Sequence, residues 1–288
     1  MRSVKPEVRS LSQEKIMTKT VLEIVEIVVL VTVVLCALVG NCLIILAFIV
    51  GSKTVKTLRN YFIVNLAVAD LMVVCLSLPL WIVSRIDVKL IHDAQIAKYF
   101  SAFDVLCGTT SILNLAAISL ERMYAVNCPV RHFNLTPLPV LLVIAATWTI
   151  GFLLTAAKFV INIEKSNREY TVLLFVLAYL VPVFVIIVSY FIIYCYAISK
   201  TKGKSRCSRL KRDLKAAKTI SVIIGLFILC WSPFFFINIL YVFEIRSTTN
   251  VINISKLMHY SNSMMNFFVY GLRSRDFKRS FQSLLKCS

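Results

Sequence analysis

Apolar residues run through the chain in seven blocks, each bounded by charged or turn-forming residues. The blocks cover residues 24–50, 61–83, 97–123, 139–160, 171–198, 217–243 and 251–272. A helix rises 1.5 Å per residue, so about twenty apolar residues cross a hydrocarbon core of about 30 Å. The pattern therefore predicts seven membrane-spanning helices. The seventh block differs from the rest, because it contains Lys256, His259, Asn262 and Asn266. Polar groups inside a span are costly and normally face a bundle interior, so this block is expected to turn inward.

The third block holds Asp104 and Arg122 on one almost unbroken apolar stretch, with Ser111 between them and Glu121 beside the arginine. Eighteen residues of helix are five turns, which places the two charges on one face, roughly 27 Å apart. One then lies toward each side of the membrane. An anion in a cavity and a cation at the far end of the same rod suggest a device that connects two aqueous sides.

Composition agrees with the membrane class. Of 288 residues, 59% are hydrophobic and 16% charged, with seven glycines and seven prolines. A soluble domain of this size has no means of burying so much apolar surface. The net charge of +18 raises the question of nucleic acid, but the basic residues interrupt apolar runs and have no aromatic platform. A lipid surface is the expected partner and nucleic acid is not. None of the nine cysteines forms a Cys-x-x-Cys pair, so no metal or redox motif is present. The polar N-terminus lacks the pattern of a cleaved signal, and the first span is expected to act as its own insertion signal.

Basic residues set the expected orientation. Lys53, Lys56 and Arg59 follow the first block, eight lysines and arginines lie between Lys200 and Lys215, and Arg273, Arg275, Lys278 and Arg279 follow the seventh. Positive loops stay cytoplasmic, so the N-terminus is expected outside and the C-terminus inside. The domain reading is an extracellular N-terminus over 1–23, a seven-span body over 24–272, and an interfacial helix with cytoplasmic tail over 273–288. In that last segment Phe277, Phe281, Leu284 and Leu285 recur at helical spacing among basic residues, as in a helix lying in the membrane surface. Cys287, just beyond, is a candidate for acylation, with an unmodified tail cysteine as the alternative.

The ordered motifs resemble those of the rhodopsin-like G-protein-coupled receptors from Gly40 to Phe281. They are Gly40-Asn41, Asn65-Leu66-Ala67-Val68-Ala69-Asp70, Glu121-Arg122-Met123, Trp148, Pro182 with Tyr190, Cys230-Trp231-Ser232-Pro233-Phe234-Phe235, and span seven from Asn262 to Tyr270. The resemblance implies an all-α membrane protein, a seven-helix bundle with a short amphipathic cytoplasmic helix after the seventh span. It also implies a plasma-membrane location and no enzymatic activity. The expected partners are a small-molecule ligand, a heterotrimeric G protein, arrestin and membrane lipids.

The same resemblance assigns roles to individual residues. Arg122, with Glu121 and Asp213 as candidate partners, would hold spans three and six together and release on activation; snorkelling to lipid phosphates is the plainer alternative. Tyr190, Trp231, Pro233, Phe267 and Tyr270 complete the expected switch. Phe267 stands where the family has proline after Asn266, so span seven is expected to kink less. Asp70, Ser111, Asn262, Ser263 and Asn266 match the family's allosteric sodium site, against the alternative of a water-filled network.

For the ligand, the stretch Asp104-Val105-Leu106-Cys107 and Tyr260 resemble biogenic amine receptors. A carboxylate in a low-dielectric cavity favours a cation, which implies a small amine. The expected site comprises Asp104, Val105, Cys107, Gly108, Leu174, Phe175, Ala178, Trp231, Phe234, Phe235, Asn238, Lys256 and Tyr260. Three departures bear on that reading. Lys256 lies one turn from Tyr260 and either pairs with Asp104, favouring a zwitterionic or anionic ligand or none, or snorkels outward. Leu174, Phe175 and Ala178 replace the hydroxyls that catechol and indole receptors carry, favouring a hydrophobic amine or a lipid-like ligand. Ala97 and the cysteine-free outer loop at 162–170 remove the usual disulfide and leave a short, less constrained entrance.

Other classes fit less well. An ion-coupled transporter or channel would use Asp70 and Asp104, but the chain shows no inverted repeat and no ring of like charge. A membrane enzyme lacks any nucleophile, metal or phosphate-loop motif. A retinal photoreceptor needs an attachment lysine where Tyr260 stands. A constitutively active receptor stays open.

Overall fold

The computed structural model describes residues 6–51, 56–86, 94–160, 163–201, 208–273 and 280. Of these, the side chains of Asp213, Asn266, Phe267 and Tyr270, among others, lie outside the description, as do the interfacial segment at 274–279 and Cys287. The described residues form helices and short connections, with no strand among them. Span one lies in the helix Pro6–Val50, so the polar residues from Pro6 run into it without a break. Span two is Leu58–Met72 continued by Leu78–Ile86, span three Ala94–Asn127 and span four Leu138–Val160. Span five is Ile163–Leu174 continued by Val181–Thr201, span six Ser208–Val242 and span seven Thr249–Arg273. A five-residue helix, Pro129–Phe133, links spans three and four.

Six of these helices are long and apolar enough to cross a membrane. The seventh has the length, 25 residues, while its inward polar residues lower its hydropathy. Span three is the axis of the bundle. Of its apolar window 72% is buried, against 22% to 44% for the other five apolar spans, whose exposed faces carry Leu, Ile, Val and Phe suited to lipid.

Polar contacts lock the axis to its neighbours. Asn65 donates to the Asn114 side-chain oxygen at 3.0 Å and accepts from the Trp148 indole at 2.8 Å, while Asn114 donates to the Phe62 carbonyl at 2.8 Å. Spans two, three and four are thus joined through one buried asparagine. Asn41 in turn donates to the Ser263 carbonyl at 3.0 Å, joining spans one and seven. Gly151 lets span four approach closely: a β-carbon there would lie 2.7 Å from the Thr110 hydroxyl.

Two spans contain a π turn, Val73–Ser77 and Phe175–Leu180. Each ends two residues before a proline, Pro79 or Pro182. Proline offers no N–H to the carbonyl four residues back and crowds it, so the preceding turn widens. Consistent with this, Leu78 N–H reaches Val73 and Val181 N–H reaches Val176, five residues back. Span six keeps its α-helix through Pro233, next to which the Ser232 hydroxyl bonds the Ile228 carbonyl and the Tyr179 hydroxyl, each at 2.5 Å.

The expected short outer loop is different in the structure. From Ile163 onward it is helical and extends span five, because Ile163–Leu174 is amphipathic and continues into the apolar run. No disulfide links the described cysteines. This end is tied instead by the Tyr170 hydroxyl donating to the Leu154 carbonyl at 3.0 Å and by Lys158 bonding Ser101. Span six ends at Val242, and just beyond it Glu244 adopts a left-handed φ of 62°, while Ile245 N–H caps the Leu240 carbonyl at 3.0 Å.

Asn65→Ala removes the shared partner of Trp148 and Asn114, leaving buried polar groups unpaired at a cost of about 1–3 kcal/mol. Thermal unfolding of the detergent-solubilised protein should show a clear fall in midpoint, larger than for Trp148→Phe. Equal stability of Asn65→Ala and the unaltered protein would show that the contact is not structural.

Candidate functional site

Between spans three, four, five, six and seven lies a cavity of about 310 Å³. Its charged centre is Asp104 on span three. Lys256 on span seven donates to one Asp104 oxygen at 2.5 Å, and the Tyr260 hydroxyl lies 3.3 Å from both. The pair is almost dry, with the lysine side chain 12% and the aspartate 7% exposed. Four aromatic faces surround the ammonium: Phe234 at 4.5 Å, Phe100 at 5.3 Å, and Trp81 and Tyr260 at 5.5 Å. Such faces present negative charge to a cation, so the cage stabilises the lysine where it sits. Of the two positions left open for Lys256, the structure adopts the inward one.

The apolar wall comes from the π turn of span five, where Phe175 and Ala178 line the cavity just beyond Leu174. Trp231, Phe234, Phe235 and Asn238 line it from span six, and Val105 and Gly108 from span three. Gly108 is required by the tryptophan: a β-carbon there would stand 2.4 Å from its ring. Trp231 lies tilted against His259, with ring centroids 3.9 Å apart, stacks on Phe227 and packs near Phe235 and Phe234. Cys107 does not line the cavity. It is fully buried against Leu30, Val33, Val73, Leu78 and Tyr260, because its place on the helix turns it toward spans one, two and seven.

Deeper in the bundle, Asp70, Ser111, Asn262 and Ser263 are each at most 3% exposed and belong to spans two, three and seven. Their carboxylate, hydroxyl and amide oxygens are the donor types that a hard cation takes. Asn266 lies on span seven with its side chain outside the described residues, and span seven is an unbroken helix through Phe267.

At the other end of span three, Arg122 is 7% exposed and forms a two-point contact with Glu121. The same carboxylate is 2.7 Å from the His132 ring on the short linking helix. Tyr190 packs beside Met123 against Val126 and Ile193. The expected partner Asp213 lies on the span-six helix, but its contact falls outside the described residues.

Several residues escaped the sequence reading. Lys158 lines the cavity from span four, and Phe100, Ser101, Thr109, Tyr170 and Tyr241 join it. Lys158 sits at the end of an apolar block, where snorkelling is the ordinary reading, and only the neighbouring spans reveal that it turns inward. His132 and His259 stand alone in the sequence, in no motif. His259 is buried beneath the cavity with neither ring nitrogen hydrogen-bonded to a described residue. Its membership of the polar set on span seven was the available signal.

Residues 40–270 match the family model described as the 7 transmembrane receptor (rhodopsin family). The chain is 30% identical to the human (Homo sapiens) 5-hydroxytryptamine receptor 4, covering 89% of this chain and 78% of that receptor. It is 28% identical to a D(1)-like dopamine receptor of Takifugu rubripes, over 87% of this chain and 67% of that one. It is 27% identical to the D(1A) dopamine receptor of Xenopus laevis, over 88% and 70%. With its bundle, its inward polar seventh span and its arginine at the end of span three, the chain belongs to the rhodopsin family of seven-transmembrane receptors and is a multi-pass plasma-membrane G-protein-coupled receptor.

Proposed function

We propose that the Asp104 end faces outside and binds a small ligand with a protonated amine, which competes with Lys256 for the carboxylate. The observation that carries this is the dry contact among Asp104, Lys256 and Tyr260 inside an aromatic cage. It is a cation site already shaped for an ammonium on a short carbon stem. Relatives named for 5-hydroxytryptamine and dopamine support an amine. The apolar wall of Leu174, Phe175 and Ala178 favours a ligand without catechol hydroxyls. The basic segments near the Arg122 end support a cytoplasmic position for it, beside the G protein.

Displacing Lys256 changes the charge above Trp231 and His259, and the packed aromatics carry that change along spans six and seven. At the inner end, Glu121 holds Arg122 with His132 at its back, which keeps the guanidinium from a G protein until the helices move. Arrestin and anionic lipids would meet the same basic surface. The Asp104–Lys256 contact also carries a second reading, in which the lysine is a built-in agonist and the receptor signals unaided.

Asp70, Ser111, Asn262, Ser263 and Asn266 would supply the oxygens for a sodium ion. Agonist affinity should then fall as sodium replaces a bulky organic cation in the buffer, and Asp70→Asn should abolish the difference; sodium-independent affinity in the unaltered receptor would end that reading.

A G-protein activation assay at matched surface expression tests the main reading. Lys256→Met should raise amine potency by about tenfold or more, since a tethered competitor is removed, and Asp104→Asn should abolish the response. A fall in basal signalling with Lys256→Met favours the built-in agonist instead. Arg122→Ala should silence every signal; amine potency indifferent to Asp104→Asn would contradict the amine reading, and basal signalling indifferent to it would contradict the built-in agonist.

A further inference from the structure

We propose that the ligand carries an acid group as well as an amine, and that Lys158 receives the acid. The inference rests on the reading of the cavity as the ligand site. Among the described residues that line it, the charged groups are Asp104, Lys256 and Lys158, two ammonium groups against one carboxylate. Asp104 already has Lys256 and Tyr260 as partners. The described hydrogen-bond partner of Lys158 is the neutral hydroxyl of Ser101. Two ammonium groups that share one carboxylate in an apolar cavity are expensive, so the site as built favours the arrival of an anion.

The approach to the cavity has the same sign. A vestibule lined by Arg168, Arg246 and Glu244 shares Thr171 and Tyr241 with the cavity, so the two spaces adjoin. Arg168 is held by the Val242 carbonyl at 2.6 Å and meets Glu244 only at 4.0 Å, with both side chains largely exposed. Again there are two cations to one anion. A ligand with a single positive charge meets a repulsive surplus at both levels, whereas a zwitterion meets a complementary one at each.

Spacing narrows the class. Ser101 and Asp104 are three residues apart on one helix, about 5–6 Å between their β-carbons. An acid on Lys158 and Ser101 and an amine on Asp104 are therefore close together in the ligand, as in an α-amino acid or a short amino acid. Phe175, Phe234, Phe235 and Leu174 would enclose an aromatic side chain. The ligand class is a small aromatic zwitterion.

The test uses probe pairs that differ by one carboxylate: tryptophan and tryptamine, tyrosine and tyramine, phenylalanine and phenethylamine. Each is assayed for G-protein activation on the unaltered receptor, Lys158→Gln and Lys158→Arg at matched surface expression. The proposal expects at least one acid to exceed its decarboxylated partner by about tenfold in potency. Lys158→Gln should erase that preference by lowering the acid's potency without lowering the amine's, and Lys158→Arg should keep it. Amines that outperform their acids, with Lys158→Gln neutral, would overturn the inference and leave the amine reading standing. An equal loss for both members of a pair would make Lys158 a structural tie to Ser101 and also overturn it. Silence of both members of all three pairs on the unaltered receptor would overturn it together with the reading of the cavity.

Discussion

A carboxylate buried in a bilayer needs a positive partner, and Asp104 finds one within its own chain. Removing one member of a buried pair typically costs about 3–5 kcal/mol, because the other is left uncompensated. That constraint reaches beyond two residues. It draws Lys256 inward across the bundle, fixes the rotation of span seven, and packs Phe100, Trp81, Phe234 and Tyr260 around the ammonium. Span three then becomes a rod whose two ends each hold a buried ion pair, Asp104 with Lys256 and Arg122 with Glu121.

The rest of the bundle keeps that rod in place. Asn65 fastens it to spans two and four, while prolines widen spans two and five by one π turn each beside the cavity. The wider turn in span five carries Phe175 and Ala178 into the wall. Gly108 leaves room for Trp231, whose ring joins the cavity to His259 on span seven. Pairing, packing and helix irregularity thus meet at one level of the membrane, where a ligand could alter all three.

Much of this was legible in the chain because membrane crossing imposes a length and burial imposes a cost on polar residues. The seven blocks, the inward character of span seven and the relation of Asp104 to Arg122 follow from those two rules. The rules fail where rotation about a helix axis decides the outcome. Cys107 and Gly108 are neighbours in sequence, yet one faces the packing of spans one, two and seven and the other the cavity. Lys256 had a snorkelling alternative and Lys158, at the end of an apolar block, had no inward signal at all; only the opposing spans show that both turn into the cavity. The helical outer segment was hidden by polar residues, although its apolar stripe fits a helix, and the bond between His132 and Glu121 depends on a turn between two helices that no periodicity reveals.

The central claim is that Asp104 and Lys256 act as one unit. The direct test is a double-mutant cycle on the thermal stability of the ligand-free receptor, using Asp104→Asn, Lys256→Met and the two combined. Coupling of about 2–3 kcal/mol, the upper part of the range for groups in contact, is predicted, with each single change destabilising and the double change costing clearly less than the sum of the two. Additivity within about 0.5 kcal/mol would show that the two side chains ignore each other, and would contradict the claim.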